Sequence, residues 1–168
     1  MLIIFGGLPG TGKTTIAREL SFRLGATYLR IDSIEQAMTN STLKIYPTED
    51  AGYWVGYYVA KDNLRLDHKV VADSVNSLEL TRSAWLEVAR EVGCPAVEVE
   101  VMCSDIAEHK ERIETRTTDL PKRQPTTWQK VLDRYYEPWT RPHITIDTAG
   151  NSVDQCVGEF LDALLAER

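Results

Sequence analysis

The chain has 168 residues, of which 43% are hydrophobic, and it carries a net charge of −6. This length predicts one domain, residues 1–168, with one substantial core. The acidic balance argues against a nucleic-acid partner, which usually meets a basic surface, although it leaves room for a small basic cleft. The three isolated cysteines match no zinc or redox spacing, and neither a secretory leader nor a run of about 18 apolar residues is visible. We therefore expect a reduced, cytoplasmic protein with no membrane segment.

The first third of the chain reads as strand, loop, helix and strand. The stretch "MLIIF" is short, apolar and followed by glycines, which is typical of a buried strand. Apolar residues then recur every four residues from Ile16 to Leu24, which predicts a helix that ends at Gly25. "TYLRID" predicts a second strand, and Asp32 would begin a short helix after it as the N-cap.

Strands and helices alternate through the rest of the chain. Three further apolar runs predict strands: "KVVAD", "AVEVEVMC" and "HITID". Glu98 and Glu100 alternate with valines in the second run, which predicts that one face of this strand is more exposed to solvent. Helices are predicted for "YWVGYYVAKDNLRL", "LTRSAWLEVAREV", "WQKVLDRYY" and the stretches that begin at Asp105 and Ser152. This alternation predicts an α/β fold with a parallel sheet covered by helices on both faces. Ligands of such folds bind at the carboxyl ends of the strands, so each strand end is a candidate site.

The stretch "GGLPGTGKTT" carries the most specific motif in the sequence. From Gly7 to Thr14 it has the G-x-x-x-x-G-K-[ST] spacing of a phosphate-binding loop, with a predicted strand before it and a predicted helix after it. Glycines allow successive backbone N–H groups to surround an anion at a helix N-terminus. We predict that Lys13 reaches the outer phosphates of ATP and that the Thr14 hydroxyl binds Mg²⁺. The predicted ATP-binding residues of the loop are Gly7, Leu8, Pro9, Gly10, Thr11, Gly12, Lys13, Thr14 and Thr15.

Two aspartates at predicted strand ends are candidates for the chemistry. Asp73 closes "KVVAD" and would hold Mg²⁺ directly or through water; the alternative is a cap for the turn that follows it. Asp32 closes "TYLRID" and would accept the proton of a hydroxyl that attacks a phosphoryl group; the alternative is a helix cap alone. Because the predicted sheet puts both at the same edge as the phosphate loop, we favour a metal role for Asp73 and a catalytic role for Asp32.

A basic stretch in the second half of the chain predicts a lid. Arg112 and Arg116 lie four residues apart on one helix face, and Lys122 and Arg123 follow in "TDLPKRQPT". A mobile loop, residues 117–127, would close over ATP and exclude water. Arg112 and Arg116 would then bind the nucleotide, and Arg116 would join Lys13 as a catalytic residue that neutralises the moving phosphoryl group. The alternative is a set of surface ion pairs of little consequence.

In this order the motifs resemble the small P-loop kinases related to polynucleotide 5′-kinases, gluconate kinases and chloramphenicol phosphotransferases, a group that includes AAA-type kinases. The resemblance covers nearly the whole chain. It rests on the phosphate loop, Asp32, "ADSVN", the R-x-x-x-R pair and "IDTAG" before the last helix. It implies a P-loop NTPase fold with a small lid and a five-stranded parallel sheet in the order 2-3-1-4-5. It also implies that the backbone of Thr148, Ala149 and Gly150 faces the adenine base.

One position departs from the polynucleotide kinases, which carry D-x-x-R after the second strand. In this chain the corresponding residues run from Asp32 to Glu35, so an acid stands where an arginine would grip the acceptor's phosphate. We therefore expect an ATP- and Mg²⁺-dependent kinase whose acceptor is a hydroxyl of a small molecule. The alternatives are a polynucleotide 5′-hydroxyl kinase, with Arg30 as part of a basic track, and a nucleotide-binding ATPase module that is not a kinase. The sequence leaves monomer and dimer open, and it leaves the aromatic segment Tyr53–Tyr58 open between core and substrate pocket.

Overall fold

A computed structural model describes residues 1–117, 120 and 126–166 of the protein. The strands are β1 (Leu2–Gly6), β2 (Thr27–Arg30), β3 (Val70–Asp73), β4 (Ala96–Met102) and β5 (Ile144–Asp147). The helices are α1 (Lys13–Leu24), α2 (Ile31–Asn40), α3 (Ala51–Arg65), α4 (Glu79–Val92), α5 (Ile106–Thr115), α6 (Trp128–Leu132) and α7 (Val153–Ala166). Within the described part of the chain, none of the helices combines the length and the apolar character that a membrane crossing requires.

The strands form one parallel sheet in the order β2-β3-β1-β4-β5, which confirms the order that the family resemblance implied. Successive side chains of the central strand β1 point to opposite faces of the sheet. Phe5 packs with Leu20 of α1 and Phe160 of α7 on one face. Ile4 packs with Trp85 of α4 on the other face, where α3 also contributes. Helices therefore cover both faces, and the carboxyl ends of the strands form one open edge.

β2 ends earlier than predicted, and α2 begins at once. Strand pairing stops at Arg30, which is the N-cap residue of α2, and Asp32 lies in the first turn of that helix. The expectation that Asp32 ends the strand and caps the helix is therefore wrong. The physical reason is Ile31, which is buried and packs against Gly56 of α3. The contact is so close that a Cβ added to Gly56 would lie 2.5 Å from Cδ1 of Ile31. This contact holds the first turn of α2 against the core.

α6 is shorter than the helix that the sequence predicts for "WQKVLDRYY". It spans only Trp128–Leu132, and the chain that follows covers β4. The Tyr136 hydroxyl donates to Glu100 Oε1 at 3.0 Å, and the Arg141 guanidinium donates to both carboxylate oxygens of Glu98 at 2.9 and 2.8 Å. The expected wetter face of β4 is therefore covered, and Glu98 is only 6% exposed.

Candidate active site

The phosphate loop joins β1 to α1 and has the backbone that its glycines allow. The φ values of Gly7, Gly10 and Gly12 are 138°, 86° and 87°. Residues other than glycine rarely adopt this backbone conformation. A Cβ on Gly7 would also lie 2.2 Å from the Val101 carbonyl oxygen. The N–H groups of Gly10, Gly12 and Lys13 donate to no acceptor among the described residues. The loop thus offers free donors at a helix N-terminus, which is the arrangement that binds phosphate.

α5 packs against the middle of this loop, at Pro9 and Gly10, and stabilises its conformation. The His109 ring lies with Nε2 2.8 Å from the Pro9 carbonyl oxygen, to which the protonated Nε2 donates. A Cβ on Gly10 would lie 2.6 Å from Cδ1 of Ile113, one turn further along α5. The Trp128 ring of α6 meets His109 edge-on, with the ring centroids 5.1 Å apart. The sequence assigned no chemistry to this histidine, and its contacts show that it supports the loop.

Lys13 and Asp73 are buried together beneath the loop. Lys13 is 7% exposed and Asp73 is 2% exposed. Burial lowers the pKa of Lys13, while the carboxylates of Asp73 and Asp32 act in the opposite direction. The Tyr28 hydroxyl donates to Asp73 Oδ2 at 2.7 Å, and burial raises the pKa of this phenol, so it keeps its proton. The Asp73 carboxylate and the Thr14 hydroxyl are hard oxygen donors, the kind that Mg²⁺ prefers.

A cavity of about 400 Å³ opens at this edge of the sheet. It brings together most of the predicted site residues: Pro9, Gly10, Gly12, Lys13, Thr14, Thr15, Asp32, Arg112 and Arg116. Three arginines that the motif analysis did not place in the site, Arg18, Arg30 and Arg134, also line it. Gly7, Leu8, Thr11 and Asp73 lie behind the cavity wall and shape or support it.

Arg112 closes the other end of the phosphate loop. Its guanidinium donates to the Thr148 hydroxyl at 2.7 Å and to the Thr148 carbonyl at 3.0 Å, and it forms an ion pair with Glu108. Arg112 and Thr148 also border a second cavity of about 220 Å³ beside the start of α1. Ala149 and Gly150 do not line this cavity, and their N–H groups donate to Asp147 and Glu108. That their backbone faces the adenine base stays a prediction.

The structure describes only four residues of the predicted lid, at positions 117, 120, 126 and 127. Arg116 is the C-cap residue of α5, is exposed, and lies close enough to Lys13 to lower that residue's pKa. Thr117, Leu120 and Thr126 line the large cavity. Lys122 and Arg123, together with most of the lid range 117–127, lie outside the described residues.

The aromatic segment of α3 divides between core and surface. Tyr57 is buried and meets Trp85 edge-on, with the ring centroids 4.6 Å apart. Trp54 and Tyr58 are exposed. The Tyr53 hydroxyl accepts from the backbone N–H of Asn76 at 3.4 Å. None of these rings lines the large cavity, so the segment contributes Tyr57 to the core and Trp54 and Tyr58 to the surface.

Comparison with known proteins identifies the family. The profile of a family described as an AAA domain matches residues 2–138. The chain belongs to this family. No curated protein sequence matches the chain. The family assignment agrees with the phosphate loop and the sheet order, and it makes the protein a member of an ATP-binding P-loop group.

Three solved structures show the same fold. Kti12 of Chaetomium thermophilum, determined with ADP-AlF3, is 23% identical, with a TM-score of 0.71 over 97% of this chain and 98% of that one. A gluconokinase of Sinorhizobium meliloti is 20% identical, with a TM-score of 0.68 over 98% of this chain and 93% of that one. The Mycobacterium tuberculosis APS kinase CysC, determined with AMPPNP and APS, is 19% identical, with a TM-score of 0.69 over 97% of this chain and 96% of that one. At these identities the likeness shows the P-loop NTPase fold.

Proposed function

We propose that this protein is an ATP-dependent kinase that transfers the γ-phosphoryl group of ATP to a hydroxyl of a small molecule. The observation that carries the proposal is that Lys13, Asp32 and Arg116 line one cavity. These three side chains come from the phosphate loop, from α2 and from the end of α5. A phosphate-binding lysine, a carboxylate and a mobile arginine are the groups that phosphoryl transfer to an alcohol requires.

Asp32 is proposed to take the proton of the acceptor. In the reaction, the hydroxyl oxygen forms a bond to the γ-phosphorus, and the bond from that phosphorus to the β,γ-bridging oxygen breaks, so that ADP leaves. The hydroxyl proton passes to the Asp32 carboxylate. The proposal is supported by the position of Asp32, which lies in the first turn of α2 and lines the cavity, so that a hydroxyl bound there can reach its carboxylate.

Lys13 and Arg116 are proposed to hold the transferring group. Lys13 is buried against Asp73 and lies at the base of the cavity, where it can contact the outer phosphates. Arg116 enters from the lid side, and its exposure leaves it able to move onto the γ-phosphoryl group when ATP binds.

The Thr14 hydroxyl and the Asp73 carboxylate are the groups proposed to hold Mg²⁺ with the phosphates. When bound, the ion would supply charge neutralisation on the β- and γ-phosphoryl oxygens. Tyr28 occupies one oxygen of Asp73 and so restricts the orientation of the carboxylate. Partners outside a metal's own ligands commonly set the affinity of a site in this manner.

A small molecule is favoured as the acceptor over a nucleic-acid end. A cavity of about 400 Å³ falls in the range of small-molecule sites, which is roughly 300–1,000 Å³. The net charge of −6 opposes the long-range attraction that nucleic-acid binding uses.

The test is a screen of ADP release from ATP and Mg²⁺ against pooled sugars, nucleosides and aminoglycosides. The purified protein should release ADP faster with at least one pool, and Lys13→Ala should abolish that increase. Lys110→Ala, which removes an exposed lysine of α5, is the matched control and should keep it. ADP release that no pool accelerates would instead favour an ATPase module.

A further inference from the structure

A tryptophan outside the large cavity packs on the residue that leads into the phosphate loop. Gly6 ends β1, and a Cβ added to it would clash with Cζ2 of Trp139 and lie 3.0 Å from Cη2 of the same ring. The added Cβ would also lie 3.3 Å from Cβ of Asn76, whose side-chain amide donates to the Phe5 carbonyl oxygen at 2.7 Å. Trp139 does not line the cavity, so an influence on nucleotide binding would have to act through the loop.

The connection from α6 to β5 carries Trp139 and is fixed to β4 on both sides of it. Before Trp139, the Tyr136 hydroxyl accepts from the Trp139 Nε1–H at 2.7 Å and donates to Glu100 of β4. After Trp139, Arg141 donates to both carboxylate oxygens of Glu98, a buried residue of the same strand. Hydrogen bonds to charged groups are stronger than those between neutral groups. The ring is therefore presented to Gly6 by an anchored stretch of chain.

Arg82 of α4 holds the Trp139 ring in place. Its side chain is fully buried, and its Cζ lies 4.6 Å from the centroid of the Trp139 ring, which is a cation–π contact. Its Nη2 donates to the carbonyl oxygens of Glu137 and Pro138, the two residues before Trp139, at 3.1 and 3.3 Å. The carboxylates of Glu79 and Glu137 lie 3.7 and 4.0 Å from its nitrogen atoms and balance its charge. Because a buried charge requires such partners, they determine the position of Arg82 and of the ring that it contacts.

A shift at Gly6 would be carried into the phosphate loop, because the next residue is closely surrounded. The N–H of Gly7 donates to the Val75 carbonyl oxygen at 3.0 Å, and the Val101 carbonyl oxygen occupies the space where a Gly7 side chain would stand. Close-packed groups transmit a displacement to their neighbours. The free N–H donors of the loop follow directly along the chain, and they bind phosphate only while they converge on it.

We propose that Trp139 is a positioning residue of the phosphate loop: its ring fixes Gly6 and, through Gly6, the donors that bind the phosphate chain of ATP. The ring atoms closest to the added Cβ are Cζ2 and Cη2, so the contact depends on the outer edge of the indole. The proposal concerns nucleotide binding, and it holds whichever acceptor receives the phosphoryl group.

The first test compares two tryptophans by the binding of AMPPNP with Mg²⁺, measured by calorimetry well below the Tm of each variant. Trp139→Phe removes Cζ2 and Cη2 and should weaken AMPPNP binding by about 5-fold or more, because Gly6 loses the contact that fixes it. Trp85→Phe is the matched control, since Trp85 is fully buried against Tyr57 in the core. It should lower Tm but leave AMPPNP affinity within about twofold, because separate sites act independently.

The second test asks whether the indole edge and a side chain at position 6 compete for one space. Gly6→Ala places a methyl group against the ring and should weaken AMPPNP binding by about 10-fold or more, since an overpacked contact displaces the backbone. Trp139→Phe leaves room for that methyl group. The double variant should therefore bind AMPPNP about 5-fold or more tightly than Gly6→Ala alone. A general loss of stability would not be rescued by a second destabilising change.

The proposal is overturned if Trp139→Phe binds AMPPNP as tightly as the parent protein, or if Trp85→Phe weakens binding as much. It is also overturned if the double variant binds no better than Gly6→Ala. If Gly6→Ala does not fold, the comparison of the two tryptophan variants decides. Failure of the parent protein to bind AMPPNP would overturn the proposal together with the nucleotide site, whereas AMPPNP binding without phosphoryl transfer to any acceptor would reject the kinase function alone.

Discussion

Replacing Asp32 by asparagine separates chemistry from structure at the proposed catalytic carboxylate. Asparagine keeps the shape of the side chain but does not accept a proton at neutral pH. If Asp32 takes the proton of the acceptor, kcat should fall by about 10²–10⁴-fold, the contribution usual for a positioned general base. ATP should still bind, because the phosphate loop and Lys13 are unchanged.

The structural cost of this change is small. Asp32 is not the N-cap of α2 but lies in its first turn, where removal of its charge costs a charge–dipole interaction of about 0.3–1 kcal/mol besides its attraction to Lys13. For a chain of this length, about 1 kcal/mol corresponds to a fall in Tm of about 2–4 °C. Thermal unfolding measured beside the kinetics therefore separates a loss of chemistry from unfolding at the assay temperature.

The assay is steady-state kinetics with the best acceptor pool, combined with thermal unfolding. Asp154→Asn is the control, because Asp154 holds the same kind of position in the first turn of α7, where it pairs with Arg23, but lies away from the cavity. It should show a similar change in Tm and an unchanged kcat. A normal kcat in Asp32→Asn would refute the catalytic role, and Asp32 would then serve only to stabilise α2.

Three further predictions test separate parts of the site. Arg116→Ala should lower kcat by about 10²-fold or more, because an arginine on the transferring phosphoryl group contributes about 10³ or above; an unchanged kcat would leave Arg116 a surface residue. Tyr28→Phe removes only the hydroxyl bonded to Asp73 and should raise the Mg²⁺ concentration needed for tight AMPPNP binding by about 10-fold. Tyr58→Phe, on the exposed face of α3, is its control, and equal Mg²⁺ dependence of the two variants would contradict the role. Single-stranded oligonucleotides should bind only with a Kd of about 10⁻⁴ M or weaker at physiological salt; salt-sensitive nanomolar binding, measured by fluorescence anisotropy, would favour a polynucleotide kinase.

The parts of the site that were predictable from the sequence are those with a local signal. The phosphate loop is such a case, because a motif of eight residues between a strand and a helix specifies one backbone path. The apolar runs of β1 and β3 are another, since a strand buried on both faces leaves no room for polar side chains. The position of Asp73 at a strand end was predictable because it ends such a run.

The remaining features depend on contacts between distant parts of the chain. Tyr28 meets Asp73 across 45 residues, and His109 meets Pro9 across 100, with no motif around either partner. Arg134 lines the cavity and lies just after α6, which ends earlier than the sequence predicts. The start of α2 was misplaced for the same reason, because the packing of Ile31 on α3, rather than a cap at Asp32, decides where the helix begins.

The fate of the γ-phosphoryl group decides whether the protein is a kinase. The protein is incubated with ATP, Mg²⁺ and the pool that most accelerates ADP release, and the products are followed by ³¹P NMR, with Lys13→Ala as the blank. We predict a new phosphate-ester resonance that grows in step with ADP and is absent with Lys13→Ala. Growth of inorganic phosphate alone, or an ester that forms equally fast with Lys13→Ala, would contradict the proposed transfer at this site.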